Sequence, residues 1–515
     1  MSAAPGGSDP LATRADVAST TGRVESSFAA MLRTEMRLFM RHGVVATAFV
    51  STVAWAGVLA VVPHGVRVEV MAWVLFMDVA ALGFFFIPAL EAMERTSGVT
   101  AALMMTPLRR STAVVVRVGL VAGLVVPCAA ALAVVAGSTQ VMNVAGAAAP
   151  LSVLFTLLGL AMMKNATTLT AYFGRVPGVA VPLLVPAIAD GLRVLDSNWL
   201  VLSPATAGLR LVGGAGGLVE VAVLVLSIAA LWVFVLRSGF DPVAATIGKQ
   251  MRRKLLSAHG PAWRALMSAD ARTLAGDRIL TLVLAGIPTL VLALWLGEGL
   301  LTSQLMDTYG VVLDRRLLWG FVLVAHTPIM VGSVCGLLLA EDRDAGLLPA
   351  FAVSNGGIRT LLVYRLSGAV VTTGLAVGLG LVLARFENWV GVAATAAAIT
   401  PVPAMFIAAV ARDRGQAVAV MKLMALPFYL PLIAWSVPHI WALGAVPTWW
   451  ALRALWEPVP NPWWTLGGWI VAAAWTFVFV RRFERSLLVS GSSRSATRPS
   501  RRSLRGRSPV RSGQS

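Results

Sequence analysis

Two short charged segments interrupt an otherwise apolar chain. The first, LEAMERTSGVTAALMMTPLRR, begins at Leu90 and carries Glu91, Glu94, Arg95 and Arg109; the second, LAEDRDAGLLPAFAVSNGGIRT, begins at Leu339 and carries Glu341, Asp342, Arg343 and Asp344. Carboxylates interleaved with guanidinium groups at the end of an apolar run suit electrostatic docking of a partner better than bond-breaking chemistry. The plainer reading is a solvated turn with ordinary interfacial charges. Two further ionisable residues, Asp78 and His326, lie inside apolar runs. There, burying a charge costs about 2.5–3.5 kcal/mol on insertion scales. Facing one another across an internal interface, these two could pair or hold a polar group of a substrate. The plainer alternative is an Asp capped by local hydroxyls and a His bonded to backbone.

No enzyme constellation accompanies them. HExxH, CxxC and GxSxG are absent, and so is a phosphate loop. The nearest candidate, Gly248-Lys249-Gln250, has Val243 where the first Gly is required and lacks the hydroxyl residue. No metal site, cofactor site or catalytic residue is expected, and energy for any transport must come from a partner or from an ion gradient. Cys128 and Cys335 sit in apolar runs and read as packing residues.

The elements that position these charges are membrane helices. Of 515 residues, 57% are hydrophobic and 13% charged, about half the charged share of a soluble domain, and the mean hydropathy is +0.79. A soluble protein of this composition would expose adhesive apolar patches. Apolar runs long enough to span a bilayer fall at 43–62, 69–90, 113–137, 147–163, 177–195, 216–237, 279–298, 317–340, 366–384, 389–410, 423–441 and 464–480. The net charge of +18 could suggest nucleic acid, but the basic residues gather in loops and in the tail, as positive-inside topology requires. With the N-terminus inside, only Arg67, Arg193, Arg210, Arg315, Arg316, Arg385 and Arg453 of the 42 Lys and Arg lie outside. An even number of spans also returns the C-terminus to the cytoplasm. The plasma membrane is the expected location. Trp449, Trp450, Trp456, Trp463 and Trp464 suit the outer interface. Residues 1–23 read as a polar cytoplasmic leader without a signal peptide. Val24–Arg41 reads as an interfacial amphipathic helix with Phe28, Met31, Leu32, Met36, Leu38 and Phe39 facing one way, and Arg33, Glu35, Arg37 and Arg41 elsewhere.

The chain repeats itself. Glu94-Arg95 aligns with Asp342-Arg343 at an offset of 248 residues, and Thr106 with Ser354, Arg117 with Arg365 and Asp78 with His326 share that offset. Glu35-x-Arg37 resembles Asp270-x-Arg272, PLLVPAIA from Pro182 resembles PFYLPLIA from Pro427, and Pro204 to Arg210 resembles Pro447 to Arg453. Two six-helix units in the same orientation would be related by an axis along the membrane normal, with a pathway between them. The expected fold is an all-α integral membrane protein of about 12 helices as two parallel six-helix repeats, with both termini cytoplasmic. Its divisions are a leader (1–23), a first half (24–240), a basic linker (241–262), a second half (263–485) and a basic tail (486–515).

The pattern Glu91, Glu94, Arg95, Gly98, Thr106, Pro107, Leu108 and Arg117 resembles the permeases of ABC-2 type ABC exporters. The phrase LGFFFIPALEAMERTSGVTAALMMTPLR is especially similar to actinobacterial fluoroquinolone-export permeases, in which two six-helix permeases pair with one type of ATPase. Glu341-Asp342-Arg343-Asp344 and Tyr364-Arg365 resemble the partner permease, with Ser354-Asn355 in place of Thr-Pro. Over residues 25–485 this resemblance implies an interfacial elbow helix, a coupling helix after the second span of each half, and short outer helices at Asn198–Gly213 and Pro447–Pro462. It implies two copies of a separate cytoplasmic ATPase as partner, with ATP bound there, and a drug-like or lipophilic substrate. The alternative is a proton-coupled secondary transporter of 6+6 helices, but its Gly-x-x-x-Asp-Arg-x-Gly-Arg-Arg loop is missing.

Overall fold

The computed structural model describes residues 28–97, 110–164, 175–195, 197–237, 278–310, 312–344, 357–411, 413–435, 441–457 and 459–496, with Ala166, Tyr172, Leu348 and Phe351. Helices cover them and no strand occurs among them. Residues 1–23, the linker 241–262, Arg109, Asp270 and the Ser354-Asn355 site lie outside the described residues.

The first half comprises α1 (Phe28–Arg41), α2 (Val44–Val61), α3 (Arg67–Ala81), α4 (Ile87–Ser97), α5 (Arg110–Ala136), α6 (Val141–Met163), α7 (Val176–Gly191), α8 (Pro204–Val212) and α9 (Leu218–Arg237). The second comprises α10 (Arg278–Tyr309), α11 (Arg315–Trp319), α12 (Thr327–Asp344), α13 (Gly357–Leu383), α14 (Trp389–Ile399), α15 (Pro401–Val410), α16 (Arg414–Tyr429), α17 (Pro447–Trp456) and α18 (Pro462–Ala496). A π-helical turn joins α3 to α4 at Leu82–Phe86, and another joins α11 to α12 at Gly320–His326.

Among the described residues, eight helices are long and apolar enough to cross a membrane, or nine if the bent pair α1–α2 counts as one span. A helix lies over each of the twelve apolar stretches, but α7 and α16 have only 16 residues. Both are proline-interrupted, at Pro182 and Pro186 in α7 and at Pro427 in α16. Membrane helices tolerate such breaks where a neighbour satisfies the backbone. In α7 the Leu183 carbonyl accepts from Ser203 at 3.0 Å, and in α16 the Phe428 carbonyl accepts from Thr448 at 2.7 Å. The donors sit at the starts of α8 and α17, the short helices expected in the outer loops.

The elbow turns at Gly43, whose φ of +74° suits a residue without a Cβ. There α1 meets α2 at 56°. The amphipathic reading of α1 needs correction. Met31, Glu35 and Phe39 form its buried face, while Phe28, Leu32, Met36 and Met40 recur every four residues on an exposed stripe. The apolar residues thus divide between two environments, and an acidic residue turns inward.

Each half has its own apolar core. The first runs through Met71, Phe76, Leu132, Phe155 and Val212; the second through Trp319, Val377, Met405, Leu452 and Phe483. Val418 and Ala419 of α16 belong to the first of these, so one helix of the second half is buried against both. Close backbone approach fixes the second and fourth spans of each half. A Cβ on Gly83 would lie 2.5 Å from the Phe155 backbone, and one on Gly332 would lie 2.5 Å from the Thr400 carbonyl oxygen. Trp449 and Trp456 are buried rather than interfacial, whereas Trp463 is 72% exposed.

Candidate functional site

The residues after the second span turn inward. Arg117 of α5 is buried and faces three carboxylates from two helices. Its guanidinium contacts Glu35 of α1 at 2.8 Å, Glu91 of α4 at 2.6 Å, and Glu94 of α4 more closely still. Only a planar fork with five donors can serve three acids at once. Arg95 completes the cluster. It pairs with Glu91 at 3.2 Å and donates to the carbonyls of Met163 and Ala166 at 3.0 and 3.3 Å. Met163 ends α6, so the guanidinium caps a helix C-terminus, where the dipole favours a cation.

The second half repeats the arrangement in part among the described residues. Arg343 donates to the Ala408 carbonyl at 3.2 Å and to the Ala411 carbonyl, at the end of α15. Those carbonyls lie 245 residues after Met163 and Ala166, while Arg343 lies 248 after Arg95. Arg365 reaches Asp342 at 3.5 Å, as Arg117 reaches Glu94. Leu339 stands at the repeat position of Glu91 and is fully buried. Glu341 is half-buried and Asp344 is exposed. Of the eight residues read as a docking surface, Glu91 and Glu94 are thus buried, Arg95 and Arg343 hold carbonyls of the bundle, and Arg109 is outside the described residues. Arg95 and Arg343 thus tie the ends of α4 and α12 into the bundle.

A second site lies on the seam between the halves. Asp78, midway along the second span, accepts the Ser51 hydroxyl at 2.7 Å and meets Lys422 of α16 at 2.6 Å. Nearer the starts of α2 and α16, His42 reaches Asp413 at 3.3 Å. Both contacts join the first half to α16, and α2 and α16 run in the same direction alongside each other. His326 does not face Asp78. Its Nδ1 lies 2.6 Å from the Tyr429 hydroxyl, inside the second half. Asp78 and His326 hold equivalent repeat positions, but their partners differ because α16 carries Lys422 and Tyr429 where α7 has Pro177 and Leu184.

Sequence reasoning missed Glu35, Lys422 and Tyr429 as partners. A signal existed for Lys422, a lysine within an apolar helix. For Glu35 the signal was the repeated Glu35-x-Arg37 motif, which names no partner. Among the described residues no cluster of His, Cys, Asp or Glu could hold a metal ion.

An all-helical bundle that pairs its charge internally and carries apolar helices of spanning length is a multi-pass membrane protein. Within that class, residues 270–480 match the family described as fluoroquinolones export permease protein Rv2686c-like, which makes the second half permease-like. Two curated relatives are the fluoroquinolones export permease proteins Rv2686c of Mycobacterium tuberculosis strain ATCC 25618 / H37Rv and MT2760 of strain CDC 1551 / Oshkosh. Each is 28% identical over 216 residues, covering 36% of this chain and 82% of the relative. No solved structure matches the chain.

Proposed function

We propose that this chain is the transmembrane permease of an ABC-2 type exporter, with two six-helix halves fused in parallel and both termini cytoplasmic. It would sit in the plasma membrane and carry a drug-like or lipophilic substrate along the seam, such as the fluoroquinolones for which its relatives are named. ATP would be bound and hydrolysed by two copies of a separate cytoplasmic ATPase.

The observation that carries this reading is the repeated arginine anchor. Arg95 and Arg343 each tie the end of a second span to the end of a fourth. Arg117 further ties α4 to α1 and α5. A push on the connector after α4 or α12 would then move several helices as one body, which an ATPase beneath the membrane needs in order to drive a pathway above it. Glu91, Glu94, Glu341, Asp342 and Asp344 would take part as partners and neighbours of these arginines, and Arg109 as part of the connector.

The test is reconstitution with an ABC ATPase encoded beside this chain. ATP should drive a fluorescent fluoroquinolone across the proteoliposome membrane. Arg95→Gln with Arg343→Gln should leave ATPase binding in place and abolish ATP-dependent movement. Movement that follows an imposed proton gradient without any ATPase would replace this reading with a secondary transporter.

A further inference from the structure

Helix α16 presents two chemically different groups on one face. Lys422 and Tyr429 are seven residues apart, so they point the same way with a separation of about 10 Å along the axis. The Lys422 ammonium meets Asp78 at 2.6 Å without hydrogen-bonding geometry, and its donors have no other acceptor among the described residues. An ammonium offers three donors, so this one is underused. The Lys422 side chain is 18% exposed and that of Asp78 12%, but Nζ itself is covered, so a ligand reaches it only as Asp78 gives way.

Two turns along, Tyr429 belongs to an aromatic stack. Its ring lies 5.5 Å from Phe321 and 6.2 Å from His326, and Phe321 lies 6.0 Å from His326. The His326–Tyr429 hydrogen bond locks the stack, and Phe321 remains 42% exposed. The wide π-helical turn at Gly320–His326 puts Phe321 and His326 there. Pro177 and Leu184 stand at the matching positions of α7, so that helix carries neither the ammonium nor the phenol.

We propose that Lys422, Tyr429 and Phe321 form a subsite for an amphiphilic aromatic carboxylate, its acid on Lys422 and its ring against Phe321. Asp78 is the internal occupant that the ligand's acid displaces, and Ser51 keeps a hydrogen bond to it after displacement. A neutral ligand leaves the ion pair closed, and a cationic one meets Lys422. This rests on the seam being the substrate pathway, but binding can be measured without the ATPase. Loss of the subsite alongside intact ATP-driven export would leave the permease reading standing.

The test uses the full chain in lipid nanodiscs, with energy transfer from tryptophan to 1-pyrenebutyrate, 1-pyrenebutanol or 1-pyrenebutylamine, corrected against empty nanodiscs. Pyrenebutyrate should bind saturably and tighter than the other two. Lys422→Gln should weaken it about tenfold, the scale of a lost charge-assisted hydrogen bond, and leave pyrenebutanol unchanged. Lys422→Arg should retain most of the binding, which separates charge loss from misfolding. Asp78→Asn should tighten pyrenebutyrate by removing its competitor, and Phe321→Ala should weaken all three probes. Equal binding of the acid and the alcohol, preference for the amine, or indifference of pyrenebutyrate to Lys422→Gln would each overturn the proposal.

Discussion

Asp78 Oδ1 and Lys422 Nζ meet at 2.6 Å across the two halves of the chain, from residues 344 positions apart. The contact lies in the middle of a membrane helix, where an unpaired charge is costly. It is also a contact through which α16 holds the first half, as is that of His42 with Asp413.

Removing one member should therefore hurt more than removing both. Breaking a fully buried pair from one side costs about 3–5 kcal/mol. With both side chains partly exposed, a loss of about 1–3 kcal/mol is expected for Asp78→Asn or Lys422→Met alone. The double variant should recover most of it. Thermal unfolding in detergent, followed by tryptophan fluorescence, gives the double-mutant cycle. Near-additive losses would mean that the two groups do not depend on each other.

Arg117 should tolerate no substitute. Arg117→Gln leaves Glu35, Glu91 and Glu94 crowded without their cation, and about 3–5 kcal/mol or failure to fold is expected. Arg117→Lys should rescue little, because a point charge cannot reach three carboxylates in a fork. Yield of monodisperse protein and melting temperature check this, and an Arg117→Lys variant as stable as the parent would contradict it.

Backbone approach makes a third test. Gly83→Ala and Gly332→Ala each force a Cβ to 2.5 Å from backbone atoms of the fourth span. Overpacking of this kind costs about 1–3 kcal/mol. Gly57→Ala meets nothing within 4 Å and should be neutral or slightly stabilising. A melting-temperature series on the three variants measures the cost, and equal values for all three would contradict it.

The fourth concerns acid. Burial raises the Asp413 carboxyl, but hydrogen bonds from His42 and the Gln416 amide and the nearby Arg41 charge outweigh it, so the net shift is downward. An acid whose folded value is lowered contributes stability above its unfolded value of about 3.9. That contribution is lost as pH falls through the lower folded value. The hold of α16 on His42 should accordingly persist down to about pH 4 and weaken below it. Asp413→Asn should flatten the acid limb of a stability–pH curve, and an unchanged limb would remove Asp413 from that role.

Much of the architecture was legible in the residues. Every apolar stretch is helical because lipid leaves the backbone no partner but itself. The charged pattern shared by Glu94-Arg95 and Asp342-Arg343 reappears as two arginines bound to the carbonyls at two helix ends. Asp78 and His326 stood out as costly ions among apolar neighbours.

Tertiary structure alone decided what these groups touch. Glu35 looks like one more polar residue on an interfacial helix until α5 brings Arg117 to it. Asp78 finds Lys422 rather than His326 because α16 crosses from one half to the other. The reason is physical. Hydropathy and period fix which residues enter the bilayer and in what secondary structure, one segment at a time, whereas pairing a buried charge depends on the packing of helices far apart in sequence.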